Sequence, residues 1–274
     1  MEERDNTVVV GIGSSAGGLE ALQIMLSNLP DIENCSYVIA QHLSPTHKSM
    51  MVELLSRTTN IPVIEVKNGM RIKSKTIYMT PENTDIYVKG NKLYLKTLEQ
   101  SFSPKPSVNY FFSSLAQSYG EKAIGIILSG TGSDGAYGIR AVKAGGGITI
   151  AQAPSTAKYD GMPLSAINTG KVDIVVPIDT LGQEIKNIVM SLENRKSLSI
   201  DEKALQQIYR LLFNDYGVDF SLYKKNTITR RIERRLAALK LKTLHEYLEV
   251  LQKTPQEVEI LYASHFSLQL QEYL

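Results

Sequence analysis

Short apolar runs of strand length alternate with amphipathic helical segments through most of residues 1–192. Residues 7–11 form a β-branched run, and residues 16–29 carry apolar side chains at helical spacing. Alternating strands and helices build a mostly parallel sheet with helices on both faces. We therefore expect a doubly wound α/β fold. Further strands are predicted at 36–40, 61–66, 76–79, 85–89, 92–96, 123–128, 147–152 and 174–176, and further helices at 48–58, 108–119, 135–144, 162–168 and 181–192.

The pattern changes after Leu192. Residues 193–199 are polar and are predicted to be a linker. From residue 200 to 274 no strand-like run occurs, and helices are expected at 201–213, 227–239, 243–253 and 255–270. A small all-α domain is therefore predicted to follow the α/β domain in the sequence.

The bulk composition excludes several classes of protein. Cys35 is the sole cysteine, so no intrachain disulfide can form, which fits a reducing compartment. Neither a signal-peptide pattern nor an apolar run of the roughly 20 residues needed for a membrane helix is visible. The net charge of +2 is too small to indicate nucleic acid or a membrane surface as partner. We expect a cytoplasmic protein without membrane insertion, and no Cys/His spacing predicts a metal or other cofactor.

A glycine-rich segment, residues 11–18, joins the first strand to the first helix. It could bind a pyrophosphate at the helix N-terminus, but the second strand ends in Gln41-His42 rather than in the acidic residue that would hold a ribose. Alternatively, Gly13-x-Ser15-x-Gly17 is a sharp turn that presents a serine hydroxyl as a nucleophile. Taken alone, this turn fits an idle serine equally well.

Two further polar groups follow neighbouring strands of the predicted sheet. His42 follows the second strand and could serve as the base for Ser15, and Asp134 follows residues 123–128 and could orient His42. Each has a structural alternative: a histidine at a strand end is often simply hydrogen-bonded, and an aspartate before a helix is often its N-cap. Because carboxyl ends of parallel strands share one edge of a sheet, the three together predict a catalytic triad.

The motifs that carry these residues resemble the CheB family of chemotaxis receptor methylesterases. They are GIGSSAGG at 11–18, IAQHL at 39–43, KPSVN at 105–109, ILSGTGSDGA at 127–136, YDGMPLSAI at 159–167 and VDIVV at 172–176. The resemblance implies a nucleophile at Ser15, a base at His42 and an acid at Asp134. It also implies that the backbone N–H at Thr131 helps to bind the oxyanion. We expect Ala16, at the N-terminus of the first helix, to contribute to the same oxyanion site.

The resemblance further implies hydrolysis of glutamyl methyl esters on cytoplasmic helices of methylated chemoreceptors, and also deamidation of receptor glutamines. Two departures from the family stand out. Ser15 lies too near the start of the chain for a preceding receiver domain, so we expect no phosphorylation control through one. Lys105 stands where the family often has His-Arg, which we expect to alter contacts with the substrate.

Residues 200–270 resemble the helical N-terminal subdomain of the CheR family of receptor methyltransferases, through FNDYGVDF at 213–220 and YKKNTITRRIERRL at 223–236. Arginines of this segment recur on one side of a predicted helix and could dock acidic receptor helices: Arg230, Arg231, Arg234 and Arg235. An ordinary solvated face and a nucleic-acid surface are the alternatives. No strand or glycine-rich loop for S-adenosylmethionine follows, so the sequence resembles a truncated fusion without methyl transfer.

The resulting hypothesis is a methylesterase with a receptor-docking helical tail. A non-catalytic sensory scaffold with the same fold and a nucleotide-binding module remain as alternatives. Labelling of Ser15 by a serine-directed phosphonate would argue against the scaffold, and calorimetry with NAD or ATP would test the nucleotide-binding module.

Overall fold

The structure is a computed structural model that describes residues 7–42, 50–97, 105–197, 202–220, 228–229, 232–233, 235–236, 239, 241 and 243–266. The chain divides into two compact units, Met1–Leu192 and Glu193–Leu274. The first contains every strand of the described residues, and the second contains helices, as the sequence predicts.

The α/β unit is built on a seven-stranded parallel sheet in the order β10-β9-β8-β1-β2-β5-β3. A second, antiparallel sheet has the order β4-β7-β6. The strands are β1 (Val8–Ser14), β2 (Cys35–Gln41), β3 (Val63–Glu65), β4 (Met70–Arg71), β5 (Ile77–Met79), β6 (Thr84–Lys89), β7 (Lys92–Thr97), β8 (Ala123–Ile127), β9 (Ile148–Gln152) and β10 (Ile174–Val176).

Helices cover both faces of the large sheet, which confirms the doubly wound prediction. They are α1 (Gly18–Ser27), α2 (Met51–Ser56), α3 (Val108–Tyr119), α4 (Ala136–Ala144), α5 (Gly161–Ile167) and α6 (Leu181–Ser197). Apolar side chains of α1, α2 and α6 form one buried core, and those of α3, α4 and α5 form a second core together with the antiparallel sheet. At the carboxyl ends of the central strands the apolar cores give way to polar residues, including Ser14, Gln41 and Ser129.

Most predicted elements agree with the structure to within a few residues, and two differences matter. Helix α1 begins at Gly18 rather than at Ala16, because residues 15–17 form the turn in which Gly17 has a φ of 72°. Helix α6 continues to Ser197, across most of the predicted linker at 193–199. Its polar residues include Glu193, Arg195 and Lys196, which favour helix despite their linker-like composition.

The helical unit has a separate hydrophobic core. Its helices are α7 (Glu202–Tyr216), α8 (Leu244–Lys253) and α9 (Pro255–Phe266). Residues 228–229, 232–233 and 235–236 are also helical, within the predicted helix 227–239. Side chains from each of these segments meet in the core, including Ile208, Ile232, Tyr247 and Leu261. The predicted small all-α fold is thus confirmed.

Candidate active site

Ser15 lies in a tight turn between the central strand β1 and helix α1. Its backbone N–H donates to the Ser129 carbonyl over 3.0 Å, which ties the turn to the segment after β8. A Cβ at Gly17 would lie 2.7 Å from Ser129 Oγ, and one at Gly18 would lie 2.1 Å from Gln41 Oε1. Both positions therefore need glycine, as the predicted sharp turn requires.

His42 follows β2, the parallel neighbour of β1, as the sequence predicts. Its backbone N–H donates to the Ser14 carbonyl over 3.0 Å, so the register of the two strands brings His42 beside the serine turn. The ring atom Nδ1 lies 3.1 Å from Ser15 Oγ, and the side chain is 10% exposed. Parallel pairing alone thus brings the proposed base into hydrogen-bonding reach of the proposed nucleophile.

Gln41 fixes this pair of strand ends, a role that the sequence did not indicate. Its Nε2 donates to the Ser15 carbonyl over 2.7 Å and to the His42 carbonyl over 3.0 Å. Its Oε1 accepts from Ser14 Oγ over 2.5 Å. The amide is buried and satisfied on both sides, so it holds the backbone of both residues in one arrangement.

Asp134 follows β8 on the opposite side of β1. Its Oδ2 lies 3.1 Å from His42 Nε2. The same oxygen accepts the Val108 N–H over 2.8 Å, while Oδ1 accepts the N–H groups of Asn109 over 3.0 Å and Gly135 over 2.9 Å. The structure therefore brings Ser15, His42 and Asp134 into one hydrogen-bonded chain.

Asp134 interacts with the N-terminus of a helix that is distant in sequence. An aspartate before a helix often caps that same helix, but the N-cap of α4 is Gly135, and the Asp134 carboxylate binds the first turn of α3. Asn109 of α3 returns the interaction, because its Oδ1 accepts from the N–H groups of Gly135 and Gly138 over 3.0 and 2.8 Å. The start of α3 and the start of α4 are thus joined by hydrogen bonds in both directions.

These contacts control the charge of Asp134. Burial by itself raises the pKa of a carboxyl group, but the hydrogen bonds from His42, Val108 and Asn109 outweigh it. The pKa of Asp134 is therefore lowered, and the group is a carboxylate near neutral pH. A carboxylate facing Nε2 favours the His42 tautomer with a proton on that nitrogen, in which Nδ1 can accept from the Ser15 hydroxyl.

Ala16 and Thr131 stay predictions as oxyanion residues. Ala16 lies in the turn directly after the serine, and Thr131 is exposed in the segment between β8 and α4. The N–H of Ser15 is already donated to Ser129, whereas the hydrogen bonds of the described backbone include none from the N–H of Ala16 or Thr131. Both residues are therefore kept as candidates for the oxyanion site.

The predicted arginine stripe lies mostly outside the described residues, which do not include Arg230, Arg231 or Arg234. Arg235 is described and binds within its own unit. Its guanidinium donates from Nε and from Nη2 to the two carboxylate oxygens of Glu257, each over 2.7 Å. The charge of Arg235 is therefore already paired inside the helical unit, and it has little left to offer a docking partner.

Two negative findings concern the described residues alone. Within them, no helix is both long and apolar enough to cross a membrane. No group of three or more histidine, cysteine or acidic side chains in this part of the chain is arranged to hold a metal ion.

Comparison with known proteins identifies two families. The family model for the CheB methylesterase matches residues 10–185, more than half of the chain. The model for the CheR methyltransferase all-alpha domain matches residues 203–264. The crystal structure of the Thermotoga maritima CheB methylesterase catalytic domain superposes with a TM-score of 0.61 at 29% identity and covers 67% of this chain and 98% of that one.

Individual relatives agree with the family models. A protein of Rhodobacter capsulatus described as an uncharacterized 104.1 kDa protein is 33% identical over 73% of this chain, which covers 24% of that relative. A protein-glutamate methylesterase/protein-glutamine glutaminase of Archaeoglobus fulgidus is 35% identical over 65% of this chain, which covers 52% of it. A putative protein-glutamate methylesterase/protein-glutamine glutaminase of Leptospira interrogans is 32% identical over 65% of this chain, which covers 93% of that relative.

The chain thus spans a quarter of one of these relatives, half of another and nearly all of the third. Both predicted resemblances are confirmed, including the order of the two parts along the chain. The chain belongs to the CheB methylesterase family, and a CheR-type all-alpha domain follows the methylesterase domain in the sequence.

Proposed function

We propose that this chain is a protein-glutamate methylesterase that uses Ser15, His42 and Asp134 as a catalytic triad. The observation that carries the proposal is the pair of 3.1 Å contacts that link the three side chains at one edge of the parallel sheet. The relatives named as protein-glutamate methylesterase/protein-glutamine glutaminase support the choice of reaction.

The geometry supports acyl transfer in two steps. Ser15 Oγ attacks the ester carbonyl while His42 Nδ1 takes the hydroxyl proton, and the Asp134 carboxylate stabilises the imidazolium that forms. The N–H groups of Ala16 and Thr131 hold the oxyanion. Collapse of the tetrahedral intermediate expels the alcohol, which takes its proton from His42 as methanol. Water, deprotonated by His42, then hydrolyses the acyl-enzyme and leaves a glutamate.

The proposed substrate is a methylated chemoreceptor or a similar protein, and a glutamine side chain is a second substrate because its amide can pass through the same acyl-enzyme. The proposed place of action is the cytoplasm, where receptor signalling helices lie. The helical unit would contribute to receptor docking through Arg230, Arg231 and Arg234, with Arg235 set aside by its pairing to Glu257.

The test is methanol release from a methylated receptor fragment by the purified chain. Ser15→Ala is expected to lower kcat by at least about 10³-fold, because loss of a triad nucleophile removes the covalent route. Ser27→Ala is the matched control, since Ser27 ends α1 and its exposed hydroxyl donates to a carbonyl of its own helix. An unchanged rate in Ser15→Ala, or no methanol from the unmodified chain, would overturn the proposal. Lack of turnover with intact folding would favour the scaffold alternative.

A further inference from the structure

A buried ion pair lies beside the candidate triad without touching it. Asp85 is in β6 of the antiparallel sheet and is 5% exposed. Its Oδ2 accepts from Lys105 Nζ over 2.5 Å, and its Oδ1 accepts from the backbone N–H of Ser107 over 2.7 Å. The Lys105 side chain is 16% exposed. Removing two charges from water is costly, so such a pair is retained only where its partners are well placed.

The contact from Asp85 to Ser107 leads directly to the triad. Ser107 is the N-cap of α3, and its hydroxyl accepts from the Tyr110 N–H over 3.4 Å. The next two N–H groups along the chain, those of Val108 and Asn109, donate to the two oxygens of Asp134. Asp85 therefore anchors the residue just before the two backbone donors that hold the triad carboxylate.

We propose that the Lys105–Asp85 pair is a positioning device for Asp134, a role that rests on the proposed function of the triad. Lys105 holds the Asp85 carboxylate, Asp85 holds the start of α3, and the start of α3 fixes the carboxylate that orients His42. Neither Lys105 nor Asp85 touches the reacting atoms. Small displacements of a catalytic group reduce rates steeply, so loosening this anchor is expected to reduce kcat more than it affects substrate binding.

The pairing with Asp85 also explains Lys105, which the sequence marks as a departure from the family. The sequence suggested that this position alters contacts with the substrate. In the structure its ammonium is turned inward onto Asp85. The role of Lys105 in this chain is thus assigned to the support of the triad rather than to the substrate.

The test compares Lys105→Gln, Lys105→Arg and Asp85→Asn in the full chain. Lys105→Gln and Asp85→Asn are expected to lower kcat by about 10- to 100-fold with KM nearly unchanged. Lys105→Arg keeps a cation for Asp85 and is expected to recover most of the rate. Asp85→Asn keeps only an amide oxygen for the Ser107 N–H and loses the charge that strengthens this bond and holds Lys105. It therefore tests the same anchor even if Lys105→Gln does not fold.

Lys143→Gln is the matched control. Lys143 of α4 pairs with Asp173, is partly buried like Lys105, and loses the same charge in the same substitution. The kcat of Lys143→Gln should equal that of the unmodified chain. If Lys105→Gln lowers the melting temperature but leaves kcat at the level of Lys143→Gln, the pair is merely structural and the inference is wrong.

A second readout does not depend on turnover. The proton that His42 shares with Asp134 can be followed as a downfield imidazole N–H resonance by NMR, and Lys105→Gln should shift or broaden it while Lys143→Gln should not. An unchanged resonance in Lys105→Gln would overturn the inference, whatever the activity. Absence of methanol release from the unmodified chain would overturn the proposed function alone.

Discussion

The two units each contain a carboxylate that is largely removed from water, and the two differ in their partners. Asp134 of the α/β unit is held by backbone N–H groups and by His42. Glu257 of the helical unit is 4% exposed and is held by Arg235 and by the hydroxyl of Tyr247, which donates over 2.9 Å. In both, burial raises the pKa of the carboxyl group, but the hydrogen bonds outweigh it and the pKa is lowered.

A lowered pKa at a carboxylate that is largely removed from water therefore does not by itself mark an active site. The partners of Glu257 retain their protons near neutral pH, since an arginine does not titrate there and burial raises the pKa of Tyr247. The partner of Asp134 is a histidine that also touches a hydroxyl, so a proton can move along that chain. We therefore propose a catalytic role for Asp134 and a stabilising role for Glu257.

The largest effect is expected for Asp134→Asn. The amide keeps Oδ1 as an acceptor for the Asn109 N–H at the start of α3, but it places an N–H group at the Oδ2 position, which faces His42, and so favours the wrong tautomer. We expect kcat for ester hydrolysis to fall by about 10³- to 10⁴-fold, with a much smaller change in melting temperature measured by circular dichroism. Glu257→Gln serves as the counterpart and should leave kcat unchanged. Equal losses of activity in the two variants would contradict the assignment.

Loss of the Arg235–Glu257 pair is expected to affect the stability of the helical unit rather than activity. Arg235→Met leaves the Glu257 carboxylate buried without its cation and should destabilise the helical unit by about 3 kcal/mol, at the lower end for a broken buried pair because Arg235 is a quarter exposed. The chain has no tryptophan, so local stability is best measured by hydrogen exchange of α8 amides. Arg210→Met, which removes an exposed arginine of α7, is the control. Protection of α8 equal to that in the control would refute the prediction.

Features of the fold and of the candidate site that depend on strand order and local motifs can be predicted from the sequence. A polar residue after each of three strands was enough to group Ser15, His42 and Asp134, because parallel strands end at one edge. The strands predicted at 85–89 and 92–96 likewise correspond to β6 and β7, which the structure pairs antiparallel.

Contacts between distant segments could not be predicted in this way. Asp85 and Lys105 are separated by 20 residues, and Arg235 and Glu257 by 22, with no periodic pattern joining either pair. A charged residue on a predicted helix is usually solvated, so the sequence predicts Arg235 as part of a surface stripe. The helical continuation of α6 to Ser197 is not predicted either, because the polar composition of residues 193–199 is typical of a linker.

The smallest expected effect is a change in acid stability of the helical unit. Because the pKa of Glu257 is lower in the folded state than in the unfolded one, its contribution is complete above about pH 4.3 and is lost as the pH falls through the folded value. Glu257→Gln carries no ionisable group at this position. Hydrogen exchange of α8 between about pH 5 and pH 3 should therefore show a weaker loss of stability in Glu257→Gln than in the unmodified chain, by about 1 kcal/mol or less. A steeper loss in the variant would reverse the sign of this linkage and would show that Glu257 is held in its neutral form, unlike Asp134.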